Sequence, residues 1–541
     1  MAGYEGLEAV VLTRPGLEPA LRIAVTLCSA AALSLISTPV EWWWFHPVVY
    51  LPMFWVIRPD RPRANFAYGW LYGAAGVALL FRWIVDTIAL FSNIPLIPAI
   101  GILVLFGSVF GSPWALVWAA QPALRARLGW GWVLAWPALV VVVDWVSSFL
   151  LLFPFQHGVT LYRVAPLWQL VSVTGIWGAT FLVVAWNTAI AEAGYRWSED
   201  RAFPWLPPMV AVGATAAIGL WGANRFTRIE EALRAAPTLR IAQLQSPHGM
   251  DWRMSHPPLE ALEEWIALTR RVPKGSADVV VWPEAACPYD LNADPKAAKL
   301  VGDLAREGHF SIVVGSGARE TEIEAATGKR RTRLFNTVYF IGDNGEIGGR
   351  YDKMVPLPFG EYLPFSESMP WLLGWVEGVG DFKAGATPTV WDSGKAKLAS
   401  PICYEAILGR VCRLFGDPDL LINVTNDAWF GDTASPHQHA MLAAERATEL
   451  GIPLYRSAYT GISMTVEPHG WIHAETDPFT EVSRIVTVRI GHVQTIYARF
   501  GDWFVGLCAL GLTAGWGIDR ARRRIASPSP SSGSRPDGPP A

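Results

Sequence analysis

Apolar runs of about twenty residues recur through the first 225 residues and then stop. A helix needs about 20 consecutive apolar residues to cross a bilayer. The recurrence therefore predicts a multi-pass α-helical membrane domain over residues 1–225. We predict seven spans, of which the second is the shortest, near 20–38, 42–57, 66–86, 94–118, 130–153, 164–190 and 204–222.

Residues 226–495 have a different pattern, with frequent charges and short apolar runs. Short buried strands alternate with helical patterns, which predicts a layered α/β domain. Helices are predicted at His256–Arg271, Lys296–Gly308 and Gln438–Leu450. Strands are predicted at Thr238–Gln245, Val279–Trp282, Ser311–Gly315, Leu334–Ile341, Ile347–Tyr351, Lys397–Cys403, Leu420–Val424, Pro453–Ser457, Ser463–Glu467 and Arg484–Val488.

A last apolar run at 503–518 predicts a C-terminal transmembrane helix within 496–520, followed by a disordered Ser/Pro/Gly-rich tail at 521–541. Arginine clusters lie after the second, fourth, sixth and last spans. Excess Lys and Arg marks cytoplasmic loops. Eight spans place all four clusters and both termini in the cytoplasm, and the α/β domain on the extracytoplasmic side.

Composition narrows the class of protein. The chain of 541 residues is 51% hydrophobic and only 17% charged, against about 25% charged in ordinary soluble proteins. Extensive disorder and a purely soluble enzyme are both excluded by this balance. The 44 basic and 47 acidic residues imply no nucleic-acid partner. The five cysteines are far apart and odd in number, so they indicate neither a zinc site nor a closed disulfide framework.

Charges inside the predicted spans are candidates for function, because a charge in the bilayer is costly. Asp144 interrupts an apolar run, either as a functional group or as a helix-packing contact. Arg82 and Asp86 are four residues apart, so on one helix they would share a face and could pair.

Three polar stretches of the α/β domain carry the candidate chemistry: Trp282-Pro283-Glu284 after a strand, Tyr351-Asp352-Lys353 after another, and Cys403-Tyr404-Glu405 after a third. A nucleophilic thiol needs a base to take its proton and donors to hold the oxyanion. A carboxylate, an ammonium and a thiol supply these parts.

Other candidates have weaker support. His437 and His439 could form a metal pair, but no carboxylate or thiol stands at ligand spacing from them. Asn423-Val424-Thr425 matches a glycosylation acceptor, for which a chance match at a strand end is the simpler explanation.

Taken together, the three stretches resemble the carbon–nitrogen hydrolase (nitrilase) superfamily, which uses Glu, Lys and Cys in this chain order. With seven spans before the domain and one after it, the chain resembles the apolipoprotein N-acyltransferase family. The matching text is WPE at 282–284, PFGE at 358–361, ICYEAILG at 402–409, NDAWFG at 426–431, ERATELGIPLYRSAYTGIS at 445–463 and YARFGDW at 497–503. Departures occur at 243–252, at 354–356, at 459–461 and at Asp144.

The resemblance implies an αββα sandwich for the catalytic domain. It also implies a role for each matching residue. Glu284 is the general base, Cys403 the nucleophile, and Lys353 the ammonium that stabilises the oxyanion. Glu361, Tyr404, Glu405 and Trp252 are expected to support the site or bind substrate, with the Tyr404 backbone N–H as second oxyanion donor.

For function, the resemblance implies N-acylation of the α-amine of diacylglyceryl-cysteine in apolipoproteins, by a ping-pong mechanism through a thioester acyl-enzyme. The expected partners are a membrane phospholipid as acyl donor, a diacylglyceryl apolipoprotein as acceptor and the lipid bilayer. The bacterial inner membrane is the expected location, with no cofactor and no metal. Two alternatives remain open: a membrane-tethered amidase or nitrilase, and a non-catalytic paralogue.

Overall fold

The N-terminal part of the protein is helical. The computed structural model describes residues 17–91, 94–150, 152–153, 156–200, 204–323, 330–364, 368 and 381–526. Its first eleven α-helices are α1 (Leu17–Ile36), α2 (Leu51–Val56), α3 (Pro62–Leu80), α4 (Trp83–Phe91), α5 (Leu96–Phe110), α6 (Pro113–Leu128), α7 (Trp132–Leu150), α8 (Ala165–Trp168), α9 (Val171–Thr174), α10 (Ile176–Asp200) and α11 (Leu206–Leu233). Short 3-10 helices lie at Trp43–Val48, Gly129–Gly131 and His157–Leu161.

Four helical stretches of the described part are long and apolar enough to cross a membrane: 18–36, 96–150, 176–199 and 206–233. Helices α3 and α4 form a fifth if this pair, bent by 52°, is one span. The stretch 96–150 covers two of the predicted spans, and the number of membrane crossings stays a prediction.

Two expectations for the membrane part are wrong. The stretch 42–57 is not one helix but a 3-10 helix followed by α2, with Pro47 and Pro52 inside or at the start of these short elements. Proline lacks the N–H that a continuous helix needs. Arg82 lies in the break between α3 and α4, so it does not share a helix face with Asp86.

Two six-stranded sheets form the second part of the protein. One has the order β12-β1-β2-β3-β4-β5 and the other β11-β10-β9-β8-β7-β6. The strands are β1 (Thr238–Gln245), β2 (Val279–Trp282), β3 (Ser311–Ile323), β4 (Arg330–Ile341), β5 (Ile347–Asp352), β6 (Val390–Asp392), β7 (Lys397–Ala399), β8 (Leu420–Thr425), β9 (Leu454–Ala458), β10 (Met464–Val466), β11 (Ile472–His473) and β12 (Val482–Arg489).

The strands in the middle of each sheet pair in parallel and are largely buried, which the continuous apolar runs of β2 and of the start of β3 predict. Alternate side chains separate into two cores. Ile241 and Val281 of the first sheet share one core with Leu420 and Ile422 of the second. Val280 and its neighbours on the other face pack against the helices Pro258–Arg270 and Pro295–Gly308.

Helices flank these sheets and continue to the C-terminus: α12 (Met250–Ser255), α13 (Pro258–Arg270), α14 (Pro295–Gly308), α15 (Gly409–Cys412), α16 (Ala434–Leu450), α17 (Ile496–Phe500) and α18 (Trp503–Ala526). Further 3-10 helices lie at Cys403–Ile407, Arg413–Phe415 and Asp427–Phe430. Helix α18 continues six residues beyond 520, so 521–526 are helical, in contrast to the predicted tail. The rest of that tail, 527–541, lies outside the described residues.

Polar contacts join the helical part to the residue before α18 and to α16 beside the sheets. The indole N–H groups of Trp145 and Trp177 donate to the two carboxylate oxygens of Asp502, at 2.9 and 2.8 Å. Glu449 on α16 accepts from the backbone N–H of Ile176 at 3.1 Å. The Glu449 contact holds the α/β part directly against the apolar helices.

Candidate active site

Cys403 lies on a sharp turn after a short strand. The predicted strand Lys397–Cys403 ends four residues early, at Ala399, since Pro401 has no N–H for the ladder. Cys403 opens the 3-10 helix with a φ of 50°, in the left-handed region that is uncommon for residues other than glycine. Such strain persists only where the surroundings impose it, and it clusters at functional sites.

Glu284 is held rigidly at the end of β2. Its side chain accepts from Asn336 Nδ2 at 2.6 Å and from the backbone N–H of Asn426 at 2.7 Å. The close approach of this turn to β3 requires Gly315, where a Cβ would lie 2.1 Å from the Pro283 carbonyl oxygen. Glu284 therefore has a fixed position in the core of the site.

Lys353 is buried between two carboxylates. Its Nζ lies 2.6 Å from Glu361 Oε2 and 3.5 Å from Glu284 Oε1. Burial lowers the pKa of the ammonium, but Glu361, Glu284 and then Cys403 together raise it well above its ordinary value. The ammonium therefore stays charged, as an oxyanion-stabilising group must.

Asn336 on β4 links these groups, and its role was not predicted. Its Nδ2 donates to Glu284 Oε1 and to Glu361 Oε1, both at 2.6 Å. Its carbonyl accepts from the backbone N–H of Lys353 at 2.8 Å. No sequence signal distinguishes this asparagine, because it lies in the middle of a strand and far from the three motifs.

The thiol of Cys403 is almost fully buried. Burial raises its pKa, Glu284 adds to the rise, and Lys353 opposes it. The thiol is therefore protonated at neutral pH. A thiol in this state would need a general base to remove its proton before it could act as a nucleophile.

Glu405 organises the backbone around the thiol. Its carboxylate accepts from the Tyr351 hydroxyl at 2.9 Å and from the backbone N–H groups of Ile402, Met354 and Val355 at 2.8, 2.7 and 3.0 Å. Burial raises the pKa of Glu405 to about 7, against the opposing effect of the backbone donors and Lys353. This carboxylate ties the segment after Lys353 to the turn of the nucleophile.

A cavity of about 30 Å³ opens beside Cys403. The helical part contributes Phe81, Trp83 and Phe153 to its wall. The catalytic domain contributes the other lining side chains: Leu357, Cys403, Tyr404, Ile407, Phe430, Ser435, Gln438, His439 and Leu442. The wall is mostly aromatic and aliphatic, so the space next to the thiol suits hydrocarbon better than a small polar compound.

Tyr404 connects the nucleophile turn to the helical part. Its hydroxyl donates to the carbonyl of Leu152, and its ring meets Phe153 edge-on at 6.2 Å. The structure thus brings together six of the seven predicted residues: Glu284, Lys353, Glu361, Cys403, Tyr404 and Glu405. Their catalytic roles stay predictions.

Trp252 is placed apart from this group. Its ring stacks between the imidazoles of His248 and His256, each at 4.3 Å between ring centroids. Its helix reaches the site through Met250, whose sulfur accepts from Asn426 Nδ2 at 3.7 Å. A role for Trp252 in binding substrate therefore stays a prediction.

The remaining candidates from the sequence are the possible metal pair of histidines and Asp144. Within the described residues, no group of three His, Cys, Asp or Glu side chains is arranged to hold a metal ion. His439 bonds to Asp427 instead of pairing with His437. In the helical part, Asp144 faces His157 at 4.0 Å.

The sheet arrangement and the convergence of these strand ends define a nitrilase-type domain fused to apolar helices. Residues 238–498 match the carbon–nitrogen hydrolase model, and residues 29–189 match the model of the apolipoprotein N-acyltransferase N-terminal domain. These matches confirm the predicted fold class, a helical membrane domain with a nitrilase-like α/β sandwich. Among solved structures, a mutant of the Nesterenkonia AN1 amidase from the nitrilase superfamily aligns at a TM-score of 0.36 and 17% identity, covering 50% of this chain and 99% of that one.

Similarity to curated relatives narrows the family to which the chain is assigned. The chain is 30% identical to the apolipoprotein N-acyltransferase of Geobacter metallireducens over 88% of this chain and 89% of that protein. It is 30% identical to that of Rhodopseudomonas palustris, covering 89% and 92% of the two chains, and 33% identical to that of Bradyrhizobium diazoefficiens, covering 74% of each. The chain belongs to the apolipoprotein N-acyltransferase family, and its apolar helices are those of a bacterial inner-membrane protein.

Proposed function

We propose that this protein transfers an acyl chain from a membrane phospholipid to the α-amine of diacylglyceryl-cysteine in apolipoproteins. The observation that carries the proposal is the cavity at Cys403, whose apolar wall comes partly from membrane helices. A hydrolase of small nitrogen compounds needs water and polar contacts at this place. An aromatic wall shared with the membrane part favours acyl chains that stay in the lipid.

In the first half-reaction Cys403 Sγ attacks the ester carbonyl of the phospholipid, and Glu284 accepts the thiol proton. The tetrahedral oxyanion is stabilised by Lys353 and by the backbone N–H of Tyr404. One such donor typically contributes about 3–4 kcal/mol to the transition state. The C–O bond then breaks, the proton passes from Glu284 to the departing glycerol oxygen, and a lysophospholipid leaves a thioester on Cys403.

In the second half-reaction the α-amine attacks the thioester carbonyl and Glu284 takes a proton from the nitrogen. The C–S bond breaks, an N-acyl amide forms, and the proton returns to the thiol. Glu361 and Asn336 keep Lys353 and Glu284 in position through both halves, in keeping with their 2.6 Å hydrogen bonds. No cofactor takes part in this scheme.

The location follows from the substrates. Both are lipids of the bacterial inner membrane, so the cavity has to be reached from the bilayer. Direct packing of the catalytic domain on the helices supports such access. We place the catalytic domain on the extracytoplasmic side and both termini in the cytoplasm, from the arginine clusters and the predicted number of spans.

Mass spectrometry of the purified protein incubated with phospholipid tests the proposal. Wild type should gain the mass of one acyl chain on Cys403, and Cys403→Ala and Cys403→Ser should gain no thioester. Addition of a diacylglyceryl-cysteinyl peptide should remove the adduct and yield N-acyl peptide. An adduct that persists in Cys403→Ala refutes the assignment of Cys403 as the nucleophile. Ammonia release from small amides, without any lipid adduct, would indicate an amidase instead.

A further inference from the structure

His439 lies in the second turn of α16, beside the candidate nucleophile. Its Nδ1 lies 2.8 Å from Asp427 Oδ1. The other oxygen of Asp427 accepts from Arg456 Nη2 at 2.7 Å, and both partners of this ion pair are fully buried. Arg456 in turn donates to Asn423, which donates to the carbonyl of Cys403 at 3.5 Å. A connected set of buried polar groups therefore links the imidazole to the nucleophile turn.

Asp427 determines the tautomer of this histidine. A carboxylate only accepts hydrogen bonds, so Nδ1 has to carry the hydrogen and Nε2 keeps its lone pair. Burial lowers the pKa of His439, and the charge of Arg456 lowers it further, while Asp427 and the Cys403 backbone act in the opposite direction. The ring is therefore neutral at neutral pH, with Nε2 as a hydrogen-bond acceptor.

Nε2 of His439 is buried and has no hydrogen-bond donor among the described residues, and the nearby Cys403 carbonyl is itself an acceptor that cannot supply one. His439 lines the same cavity as Cys403, and most of that wall is apolar. A buried acceptor without a donor is unfavourable, so each such group in a native protein calls for an explanation. A donor brought by a substrate is the explanation that fits this place.

The two substrates of the proposed function differ in the hydrogen-bonding groups that they bring to His439 Nε2. At the reacting ester the phospholipid has only acceptor oxygens, which a lone pair repels. The α-amine of the acceptor has N–H donors at the reacting atom itself. An acceptor fixed beside the thioester therefore matches the amine and not the ester.

We propose that His439 Nε2 accepts a hydrogen bond from the α-amine of the acceptor and so directs the nitrogen lone pair at the Cys403 thioester. This inference rests on the proposed function and makes His439 a substrate-binding residue of the second half-reaction alone. No bond at His439 forms or breaks. The proton released by the nitrogen passes to Glu284, as described above.

Single-turnover measurements on the full-length protein in detergent test the inference, because they separate the two halves. The first rate is thioester formation with phospholipid, and the second is N-acyl peptide formation after addition of a diacylglyceryl-cysteinyl peptide. His439→Asn retains an N–H near the position of Nδ1 for Asp427 but has no group at Nε2. His439→Gln places an amide near Nε2 instead, and His437→Asn is the matched control on the same helix.

We expect His439→Asn to slow aminolysis about tenfold to a hundredfold more than it slows thioester formation, the range for one buried donor left without a partner. His439→Gln should fall between His439→Asn and wild type in aminolysis, and His437→Asn should match wild type in both rates. Equal slowing of both halves in the His439 variants would show a purely structural role, and unchanged aminolysis would show no role. Absence of a thioester in wild type would refute the proposed function itself, which is a distinguishable result.

Discussion

Replacing Asn336 tests whether one neutral side chain holds the charged groups of the site in place. Asn336→Leu is close in size but removes the two hydrogen bonds of 2.6 Å to Glu284 and Glu361. A hydrogen bond to a charged group contributes about 1.5–3 kcal/mol. Both carboxylates keep other donors, Glu361 from Leu357 N–H and Lys353, and Glu284 from the Asn426 N–H.

Because these donors remain, we expect the loss of interaction free energy to lie at the lower end of the range for two such bonds, about 3 kcal/mol. If that amount is lost from the transition state, thioester formation slows about a hundredfold. Asn336→Asp keeps the size but adds a third carboxylate beside Glu284 and Glu361, so its rate should fall further. Thr332→Leu, at an exposed position of the same strand, is the control and should keep the wild-type rate.

The assay is single-turnover acylation of Cys403, followed by mass spectrometry, together with the Tm in detergent. A rate for Asn336→Leu within threefold of wild type would refute the view that Asn336 positions the charged groups. Equal rates for Asn336→Leu and Asn336→Asp would refute the electrostatic part of that view. Loss of rate with an unchanged Tm would show that the effect is local to the site.

Two further predictions concern stability. Glu405 has a pKa of about 7 in the folded protein and 4.5 ordinarily, so its protonated form favours the folded state. The resulting stabilisation, about 3 kcal/mol, is complete below pH 4.5 and lost as the pH rises to about 7. The Tm in detergent should fall across that range, and Glu405→Gln should flatten this part of the profile; an unchanged slope would contradict the assignment. Gln438 accepts from the Trp83 indole and donates to the Leu80 carbonyl at the helix break, both at 3.0 Å. Gln438→Leu should cost about 2 kcal/mol and lower the Tm, whereas Gln494→Leu, at an exposed position, should not; equal Tm values for the two would refute this contact as a stabilising one.

The pattern of the sequence predicted those elements whose burial is regular. Strands β1 and β2 have the predicted bounds. For β2 the reason is its continuous apolar run, which defines a central strand. The pattern failed at 42–57, where apolar composition suggested a span but prolines divide the helix. It also failed at Lys397–Cys403, where the functional turn replaces the end of the strand.

The candidate site was predictable only in part, for a physical reason. Glu284, Lys353 and Cys403 stand in local motifs with a recognisable order. Asn336 and His439 reach the candidate site from other segments of the chain. Their side-chain pairings, Asn336 with Glu284 and His439 with Asp427, span 52 and 12 residues. Pairings of this kind depend on how strands and helices pack, which no local pattern encodes.

The cavity explains how a hydrolase-type site becomes suited to acyl transfer. The thioester of the proposed mechanism would be open to water as well as to an amine, so transfer requires that water is scarce and the amine well placed. Phe81, Trp83 and Phe153 close the cavity with side chains from the helical part, which disfavours water at the thioester. The thiol itself stays protonated until a substrate arrives, because burial and Glu284 raise its pKa. Since the helices supply part of this wall, the proposed reaction needs the membrane part for its chemistry as well as for its location.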